Sequence, residues 1–323
     1  MNEEYIIPVY LIMGFLEAGK TTFIREVLES GDFTDGDKGV YICCEEGECE
    51  IPDKLLKANK MQKIEIEDME QLQEPGFFAN IAKEYQPERV FIEFNGMWDP
   101  DLVISADMPE HWEVFQTITL IDARSFASYL QNMRSIIGNV IKCSEVVIFN
   151  RCSKDQDLPS FRRSVKAANT TGNVMMQFIS EDGEYIDLGK DVPPYDLNAP
   201  IIEISDMDYG LWYLDAEDNR ERYEGKTVKF LGNVLKDKQF ARGYFVPGRN
   251  AMTCCEADIR FIGFLCKSKF TDKLQDNQWV EVTAEIKYER RKEYRGQILP
   301  VLHAKHIAVV AEPPKDKQLV YFN

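Results

Sequence analysis

Apolar and polar positions follow two different patterns in the two halves of the chain. In the first half, short apolar runs predict six strands: Pro8–Met13, Gly39–Cys44, Arg89–Phe94, Thr117–Asp122, Glu145–Asn150 and Val174–Phe178. Helical spacing between these runs predicts four helices: Thr21–Glu29, Phe77–Tyr85, Ser125–Ile137 and Leu158–Ala168. Strands that alternate with helices indicate an α/β fold with a mainly parallel sheet.

The second half is rich in short runs of β-branched and aromatic residues that turn signals separate. These runs are Thr227–Val234, Ala241–Pro247, Phe261–Cys266, Trp279–Tyr288 and His303–Val310. The pattern predicts a smaller all-β domain, either an OB-like barrel or a sandwich. A proline-rich stretch lies between the halves, so we expect one domain over residues 1–182, a linker over 183–200 and a second domain over 201–323.

Charge supports the same division. The chain has 323 residues, 44% of them hydrophobic, and a net charge of -17. Residues 1–195 hold 18 Lys and Arg against 35 Asp and Glu, whereas residues 196–323 hold 20 of each. An acidic surface repels phosphate backbones, so nucleic acid is not an expected partner. Without an apolar stretch of about 20 residues we expect no membrane insertion, and the eight cysteines, two pairs of them adjacent, indicate a reducing cytoplasm.

One motif carries strong chemical information. The sequence GFLEAGKTT matches the P-loop pattern and lies between an apolar strand and an amphipathic helix. Its predicted nucleotide-binding residues are Gly14, Glu17, Ala18, Gly19, Lys20, Thr21 and Thr22. Lys20 is expected to reach the β- and γ-phosphates, and the Thr21 hydroxyl is expected to bind Mg²⁺.

Nucleotide hydrolysis also requires an acidic group near Mg²⁺ and a backbone N–H near the γ-phosphate. Glu93 ends an apolar run and Gly96 follows it, so these two residues are the candidates. A carboxylate that only caps the end of a core strand is the alternative for Glu93. Asp122, at the end of another strand, is a further candidate for Mg²⁺.

The segments GFLEAGKTT, IEFNG and VVIFNR occur in an order and spacing through which residues 5–180 resemble the CobW-like metallochaperone GTPases. The resemblance implies Mg²⁺-dependent GTP hydrolysis coupled to the delivery of zinc or cobalt to a client metalloprotein or a metal-transport component. It makes Glu45 the match for the family's switch glutamate, alongside Lys20 and Glu93 as catalytic residues. Asn150 and Arg151 would contact the base.

Three departures from the family pattern are visible. Ser153 stands where the family has the aspartate that binds guanine. Asn150 and Arg151 could still contact the base, so GTP is the favoured nucleotide and ATP is the alternative. Glu17 replaces a glycine inside the P-loop, and its carboxylate must point outward or meet a cation. The family's C-x-C-C metal motif is missing from its expected place.

Cysteines lie elsewhere in the chain. Cys43, Cys44 and Cys49 accompany several glutamates and could bind Zn²⁺ or Co²⁺; the alternative is that they are buried core cysteines. Residues 201–313 resemble the C-terminal domain of YcgQ-type proteins, on Tyr223–Val228, Met252–Asp258 and Asn277–Val282. Cys254 and Cys255 in that domain form a second candidate metal site, with core cysteines again as the alternative.

Three functional hypotheses follow. The first is a GTPase of low intrinsic turnover, because the sequence shows no evident arginine finger, that a partner or a second copy of the chain activates. The second is a nucleotide-sensing scaffold with little hydrolysis. The third is a P-loop kinase for a small molecule, for which Arg162 and Arg163 are the one adjacent arginine pair of the first half that could form a lid.

Overall fold

The computed structural model describes residues 6–31, 37–45, 50–169, 174–189, 192–252, 259–291, 296–320 and 322. The chain divides into two units, Met1–Leu188 and Gly189–Asn323. The linker predicted over residues 183–200 straddles this division. No described helix combines the length and the hydrophobicity that crossing a bilayer requires.

The first unit is built on a parallel sheet. Its described strands are β1 (Ile7–Met13), β2 (Gly39–Cys43), β3 (Met61–Glu65), β4 (Arg89–Glu93), β5 (Trp112–Asp122), β6 (Val146–Cys152) and β7 (Met175–Ser180). The strand order is β3-β2-β4-β1-β5-β6-β7, and every neighbouring pair is parallel. The prediction of a mainly parallel α/β sheet is therefore confirmed.

Helices connect these strands. They are α1 (Lys20–Ser30), α2 (Asp53–Ala58), α3 (Met69–Gln73), α4 (Phe77–Tyr85), α5 (Asp101–Ile104), α6 (Ala123–Asn132), α7 (Arg134–Lys142) and α8 (Leu158–Ala168). Two of the four predicted helices, α4 and α8, have the predicted bounds. The predicted helix Ser125–Ile137 is wrong as a single helix, because Met133 leaves helical geometry at φ -134° and ψ 33° and separates α6 from α7.

Strand β3 escaped the sequence-based prediction for a physical reason. It lies at the edge of the sheet, and only Met61 of its sequence MQKIE is buried. It belongs to the sheet because its backbone pairs with that of β2, where, for example, Cys43 lies beside Glu65. Edge strands carry a weak apolar signal because one long side lies open to solvent.

The central strands are buried on both faces. In β1, Val9, Leu11 and Met13 pack into one hydrophobic cluster and Ile12 into another, which is why parallel strands appear as continuous apolar runs in the sequence. Parallel strands end at the same edge of the sheet. Because β1 pairs with β4 and β5, three features lie at one edge of the sheet: the end of β5, residue Glu93, and the loop that follows Met13.

In its described residues, the second unit is a small β-barrel with two helices. Its elements are β8 (Ile202–Glu203), α9 (Tyr209–Asp218), α10 (Arg220–Tyr223), β9 (Thr227–Leu235), β10 (Tyr244–Ala251), β11 (Arg260–Ile262), β12 (Leu265–Lys267), β13 (Trp279–Arg291), β14 (Gln297–Val309) and β15 (Leu319–Val320). Short 3-10 turns lie at Thr271–Lys273 and Lys315–Lys317.

Five of these strands close into a ring. Strand β9 pairs with β10, β10 with β12, β12 with β14, β14 with β13, and β13 with β9. The β12–β14 pair is parallel and the other four are antiparallel, which is the connectivity of an OB-like barrel. The predicted run Phe261–Cys266 is divided between β11 and β12 at Gly263, where a Cβ would lie 2.7 Å from the Cα of Gly248.

Candidate nucleotide-binding site

Two glycines fix the path of the loop between β1 and α1. Gly14 has φ +138°, and a Cβ there would lie 2.2 Å from the backbone oxygen of Leu120. Gly96, which follows β4, approaches so closely that a Cβ would lie 2.4 Å from the backbone oxygen of Gly14. Both positions thus exclude a side chain. The packing brings the loop, the segment after β4 and strand β5 together.

Lys20 lies buried at the first position of α1. Its ammonium group donates to the backbone oxygens of Gly14 at 2.8 Å and Phe15 at 3.0 Å, and to the Glu45 carboxylate at 2.5 Å. The Lys20 and Glu45 side chains are only 2% and 12% exposed. These three acceptors match the three donors of an ammonium group. A phosphate oxygen that binds Lys20 must therefore displace one of these three acceptors. Glu45 is the acceptor that can move away, because it is a side chain and the other two are backbone oxygens.

Thr21 and Glu93 form a second polar pair beside Lys20. The Thr21 hydroxyl donates to one carboxylate oxygen of Glu93 at 2.7 Å, and the Tyr41 hydroxyl donates to the other. Burial, together with the Glu93 charge, raises the pKa of Tyr41, so its hydroxyl remains a donor. Hydroxyl and carboxylate oxygens are the ligands that Mg²⁺ prefers. The donor set at Thr21 and Glu93 thus fits a magnesium ion.

Asp122 makes different contacts from those we expected of a magnesium ligand. It caps α6 by accepting from the Arg124 backbone N–H at 2.9 Å, and its carboxylate binds the Arg124 guanidinium at 2.7 Å and that of Arg151 at 2.8 Å. Burial opposes its ionisation, but the hydrogen bonds and charges of the arginines outweigh burial and lower its pKa. These contacts do not support the predicted magnesium role, because two cations already neutralise the carboxylate.

The predicted base-contacting residues meet the P-loop directly. The Asn150 amide donates to the backbone oxygen of Ala18, and Arg151 donates to that of Glu17 at 2.9 Å. Within the described part of the chain, the buried amide oxygen of Asn150 has no hydrogen-bond partner. A buried acceptor without a partner is costly, so a donor on a ligand would stabilise it. Ser153 is exposed, and its backbone N–H donates to Gln156.

A cavity of about 220 Å³ lies at the P-loop. Its lining includes Gly19, Lys20, Thr21, Thr22, Glu45, Glu93, Arg124 and Arg151. Glu17 also lines it, with an exposed side chain on a backbone of φ 61°. A larger cavity of about 700 Å³ shares Thr21 and Glu45 with it.

Residues 8–176, more than half of the chain, match the family model of the CobW/HypB/UreG nucleotide-binding domain. The chain belongs to the CobW/HypB/UreG family. Residues 182–321 match a second model, the DUF1980 C-terminal domain, so the predicted fusion of a CobW-like domain to a distinct C-terminal domain is confirmed. No curated protein matches the chain.

Solved structures similar to this CobW/HypB/UreG protein share little of its sequence. The hydrogenase maturation factor HypB from Archaeoglobus fulgidus is 12% identical, with a TM-score of 0.37, over 57% of this chain and 85% of HypB. FlhF complexed with GTP and Mg²⁺ is 14% identical, with a TM-score of 0.35, over 59% of this chain and 70% of FlhF. The mitochondrial single-stranded DNA binding protein Rim1 from S. cerevisiae is 13% identical, with a TM-score of 0.18, over 28% of this chain and 97% of Rim1.

The cysteines of this CobW/HypB/UreG domain differ in environment. Cys44 is buried in the core beside β2, and burial, with the charges of neighbouring acidic groups, raises the pKa of its thiol. Cys43 is half-buried against a second core cluster and donates to the backbone oxygen of Glu45 at 3.1 Å, and both cysteines line the larger cavity. A raised pKa disfavours the thiolate that binds metals, so the core-cysteine alternative fits Cys44 better.

The remaining predicted metal ligands lie elsewhere. Cys49, Cys254 and Cys255 fall outside the described residues. Across the described ranges, no three side chains from His, Cys, Asp and Glu are arranged to hold a metal ion. The structure thus brings Lys20, Thr21, Glu45, Glu93 and Gly96 around the P-loop, but it gathers no transition-metal centre from the residues that it describes.

Sequence reasoning missed one residue of the cavity lining and considered a pair of arginines that lies elsewhere. Arg124 lines the P-loop cavity although no motif marks it; the only signal is its place two residues after the strand-ending Asp122. Arg162 and Arg163, considered for a kinase lid, lie on α8 and are not in the lining of either cavity. Arg163 instead pairs with Asp157 at 4.0 Å.

Proposed function

We propose that this chain binds GTP with Mg²⁺ at the P-loop, hydrolyses it slowly, and uses the nucleotide state to control zinc or cobalt handling for a client protein. One observation carries the nucleotide part: a buried ammonium group, Lys20, ends a glycine-lined loop beside a Thr21–Glu93 oxygen pair. Membership in the CobW/HypB/UreG family supports the same conclusion.

Each residue has a physical role in this proposal. Lys20 exchanges Glu45 for phosphate oxygens, and the loop N–H groups surround the remaining phosphates. Thr21 and Glu93 would hold Mg²⁺, which when bound neutralises phosphate charge. Tyr41 fixes the Glu93 carboxylate by donating a hydrogen bond to it. Once released, Glu45 is free to position a water molecule near the γ-phosphate.

The proposed preference for guanine rests on family membership, and the end of β6 would supply the base contacts. Asn150 and Arg151 donate to backbone oxygens of the P-loop, and the buried Asn150 oxygen, which has no partner among the described residues, can accept from an N–H group of either purine. Ser153 carries no carboxylate to accept from guanine N1 and N2. Direct competition between GTP and ATP therefore tests this part separately from nucleotide binding itself.

The proposed coupling to a transition metal is supported by the position of Cys43. Its Sγ contacts the backbone of Glu45, and the Glu45 carboxylate contacts Lys20. A nucleotide that displaces Glu45 would thus disturb the surroundings of Cys43. We place this activity in the reducing cytoplasm, where thiols stay available for metals, and propose that a partner or a second copy of the chain stimulates turnover.

A nucleotide-sensing scaffold is the second candidate, and the Lys20–Glu45 pair favours it. Binding of a nucleotide is enough to separate Lys20 from the Glu45 carboxylate, and hydrolysis is not needed for this change. Phosphate release decides between the two: multiple turnovers per protein indicate a GTPase, whereas tight binding with less than one turnover indicates a scaffold.

Native mass spectrometry of the reduced protein with Mg²⁺, GTP or ATP, and Zn²⁺ or Co²⁺ tests the proposal as a whole. We expect one GTP per chain, less ATP at equal concentration, and metal occupancy that changes with the nucleotide. Lys20→Ala should lose the nucleotide. If the folded wild-type protein binds neither purine triphosphate, the proposed function is wrong.

Cysteine variants test the metal part independently. Cys43→Ser should reduce zinc occupancy, because Cys43 is the less buried of the two cysteines that line the larger cavity. Cys44→Ser is the comparison variant, since the buried Cys44 thiol lies in the apolar core and its loss should reduce stability rather than metal binding. Equal zinc occupancy in the wild type and in Cys43→Ser would remove Cys43 from the proposed site.

A further inference from the structure

The P-loop cavity contains a pair of arginines that one carboxylate holds. The Asp122 side chain is 10% exposed and binds Arg124 and Arg151 through the same oxygen, at 2.7 and 2.8 Å. The backbone fixes Asp122, since it ends β5 and caps α6. Both guanidiniums are therefore attached to a rigid corner of the fold.

Arg124 remains open to a ligand although its position is fixed. Its side chain is 57% exposed, and it lines the same cavity as Lys20 and Thr22. Among the residues that the structure describes, every hydrogen bond of the Arg124 guanidinium goes to Asp122, through Nε and Nη2. The Nη1 donors are left for another acceptor, and a guanidinium fork suits phosphate oxygens.

Charge alone does not single out an anion here. The two guanidiniums share the Asp122 carboxylate, and the exposed Glu17 side chain lines the same cavity. The Nη1 donors of Arg124 are what suits a phosphate oxygen. The Arg124 partner of Asp122 is largely exposed, and an ion pair with an exposed partner stabilises a fold by only about 0–1 kcal/mol. Fold stability alone is thus a weak reason for placing Arg124 at the P-loop.

We propose that Arg124 binds the phosphate groups of the nucleotide held by its own P-loop, and that Asp122 is the positioning residue that holds Arg124 toward them. This inference rests on the proposed nucleotide binding and deepens it. Arg124 supplies a positive charge opposite Glu45 and Glu93, and it does so without a second protein.

The test measures the GTP affinity of the full-length protein with Mg²⁺ by calorimetry at about 50 and 300 mM salt, a range over which screening changes strongly. We expect Arg124→Ala to weaken GTP binding by roughly 10- to 100-fold at low salt, as for a lost hydrogen bond to a charged group. The deficit should shrink at high salt. Asp122→Asn should show a smaller loss with the same salt dependence.

Two comparison variants sharpen the result. Arg124→Lys keeps the charge without the guanidinium fork, and its GTP affinity should be about 3- to 10-fold lower than that of the wild type. This variant also tests the role of Arg124 if the alanine variant fails to fold. Arg25→Ala removes a partly exposed arginine that pairs with Glu29 on α1, and it should bind GTP as the wild type does.

Three outcomes would overturn the inference. Arg124→Ala and Arg124→Lys could both bind GTP within about threefold of the wild type while Lys20→Ala loses binding, which would leave the proposed function intact. The affinity losses could be equal at both salt concentrations, which would indicate a structural defect. The wild type could bind no purine triphosphate, in which case the proposed function fails as well.

Discussion

The P-loop cavity has two sides of opposite charge. On the β2–β4 side, Glu45 and Glu93 contribute carboxylates. On the β5–β6 side, Arg124 and Arg151 contribute guanidiniums that Asp122 anchors. Lys20 belongs to the loop between the two sides, but its only ion pair within the described residues is with the acidic side.

The difference between the two sides predicts which side changes when a nucleotide binds. The arginine side is already fixed by hydrogen bonds to Asp122 and already suits phosphate. The acidic side repels phosphate unless Glu45 leaves Lys20 and a divalent cation joins Glu93. We therefore expect nucleotide-dependent change to concentrate in the segment after β2, whereas the corner at Asp122 stays fixed.

Lys20→Ala should have the largest effect, because it removes the group that both Glu45 and phosphate require. We expect GTP affinity to fall by about 100-fold or more, as for the loss of a strong charge-assisted contact. Stability should fall as well, since a largely buried Glu45 carboxylate loses its partner. Calorimetry and thermal unfolding measure the two effects; unchanged GTP affinity would contradict the assignment of Lys20.

Glu45→Gln should act in the opposite direction on binding. The amide keeps a hydrogen-bond acceptor near Lys20 but removes the charge that competes with phosphate. We expect GTP affinity to rise by about tenfold, in line with the greater strength of charged hydrogen bonds, and turnover to fall if Glu45 positions water. Glu50→Gln, in the larger cavity only, is the matched control. Weaker GTP binding by Glu45→Gln would show that Glu45 does not compete with phosphate.

Tyr41→Phe should have a smaller effect on the acidic side. It removes the hydrogen bond that orients Glu93, so the Mg²⁺ concentration that gives half-maximal GTP binding should rise by about fivefold, equivalent to about 1 kcal/mol. GTP binding without Mg²⁺ should stay the same. A Mg²⁺ titration followed by calorimetry measures both values; a loss that is independent of Mg²⁺ would remove Tyr41 from this role.

The smallest expected effect is the pH dependence of stability on the arginine side. Because the pKa of Asp122 is lowered in the folded state, its stabilising contribution is present above the pKa of the unfolded chain, about 3.9, and is lost as pH falls through the lower folded value. The unfolding free energies of the wild type and Asp122→Asn should differ by about 1 kcal/mol or less from pH 5 to 8. Below about pH 4 the difference should shrink; a difference that grows with acid would contradict this sign.

Local motifs explain which parts of the site the sequence predicted. Lys20 and Thr21 follow Gly19 directly, and the loop that they form depends on consecutive residues. Glu93 was predictable because it ends an apolar run. Arg124 was not, because its importance depends on the neighbouring positions of β5, β6 and the P-loop. The contact between Asp122 and Arg151 spans 29 residues of sequence.

Two predictions of metal ligands depended on neighbours that the local sequence does not show. Asp122 resembled a magnesium ligand because it ends a core strand, yet the two arginines that bind it were not identifiable from that strand alone. Cys43 and Cys44 are equivalent in a search for thiols, whereas in the structure Cys44 is buried in the cluster with Val40 and Ile42 and Cys43 is half-buried against a second cluster. Neighbours from other strands decide whether a polar group is free to bind a ligand.

The sequence by itself determined the P-loop, the alternation of strands and helices around it, and the change to a β-rich second unit, because each follows from residues close together in the chain. Only the tertiary structure decided that Glu45 pairs with Lys20, that Asp122 holds two arginines, and that five strands of the second unit close into a barrel. Those arrangements depend on strand order and on burial. Both bring together groups that are far apart in sequence, and no local pattern of residues specifies them.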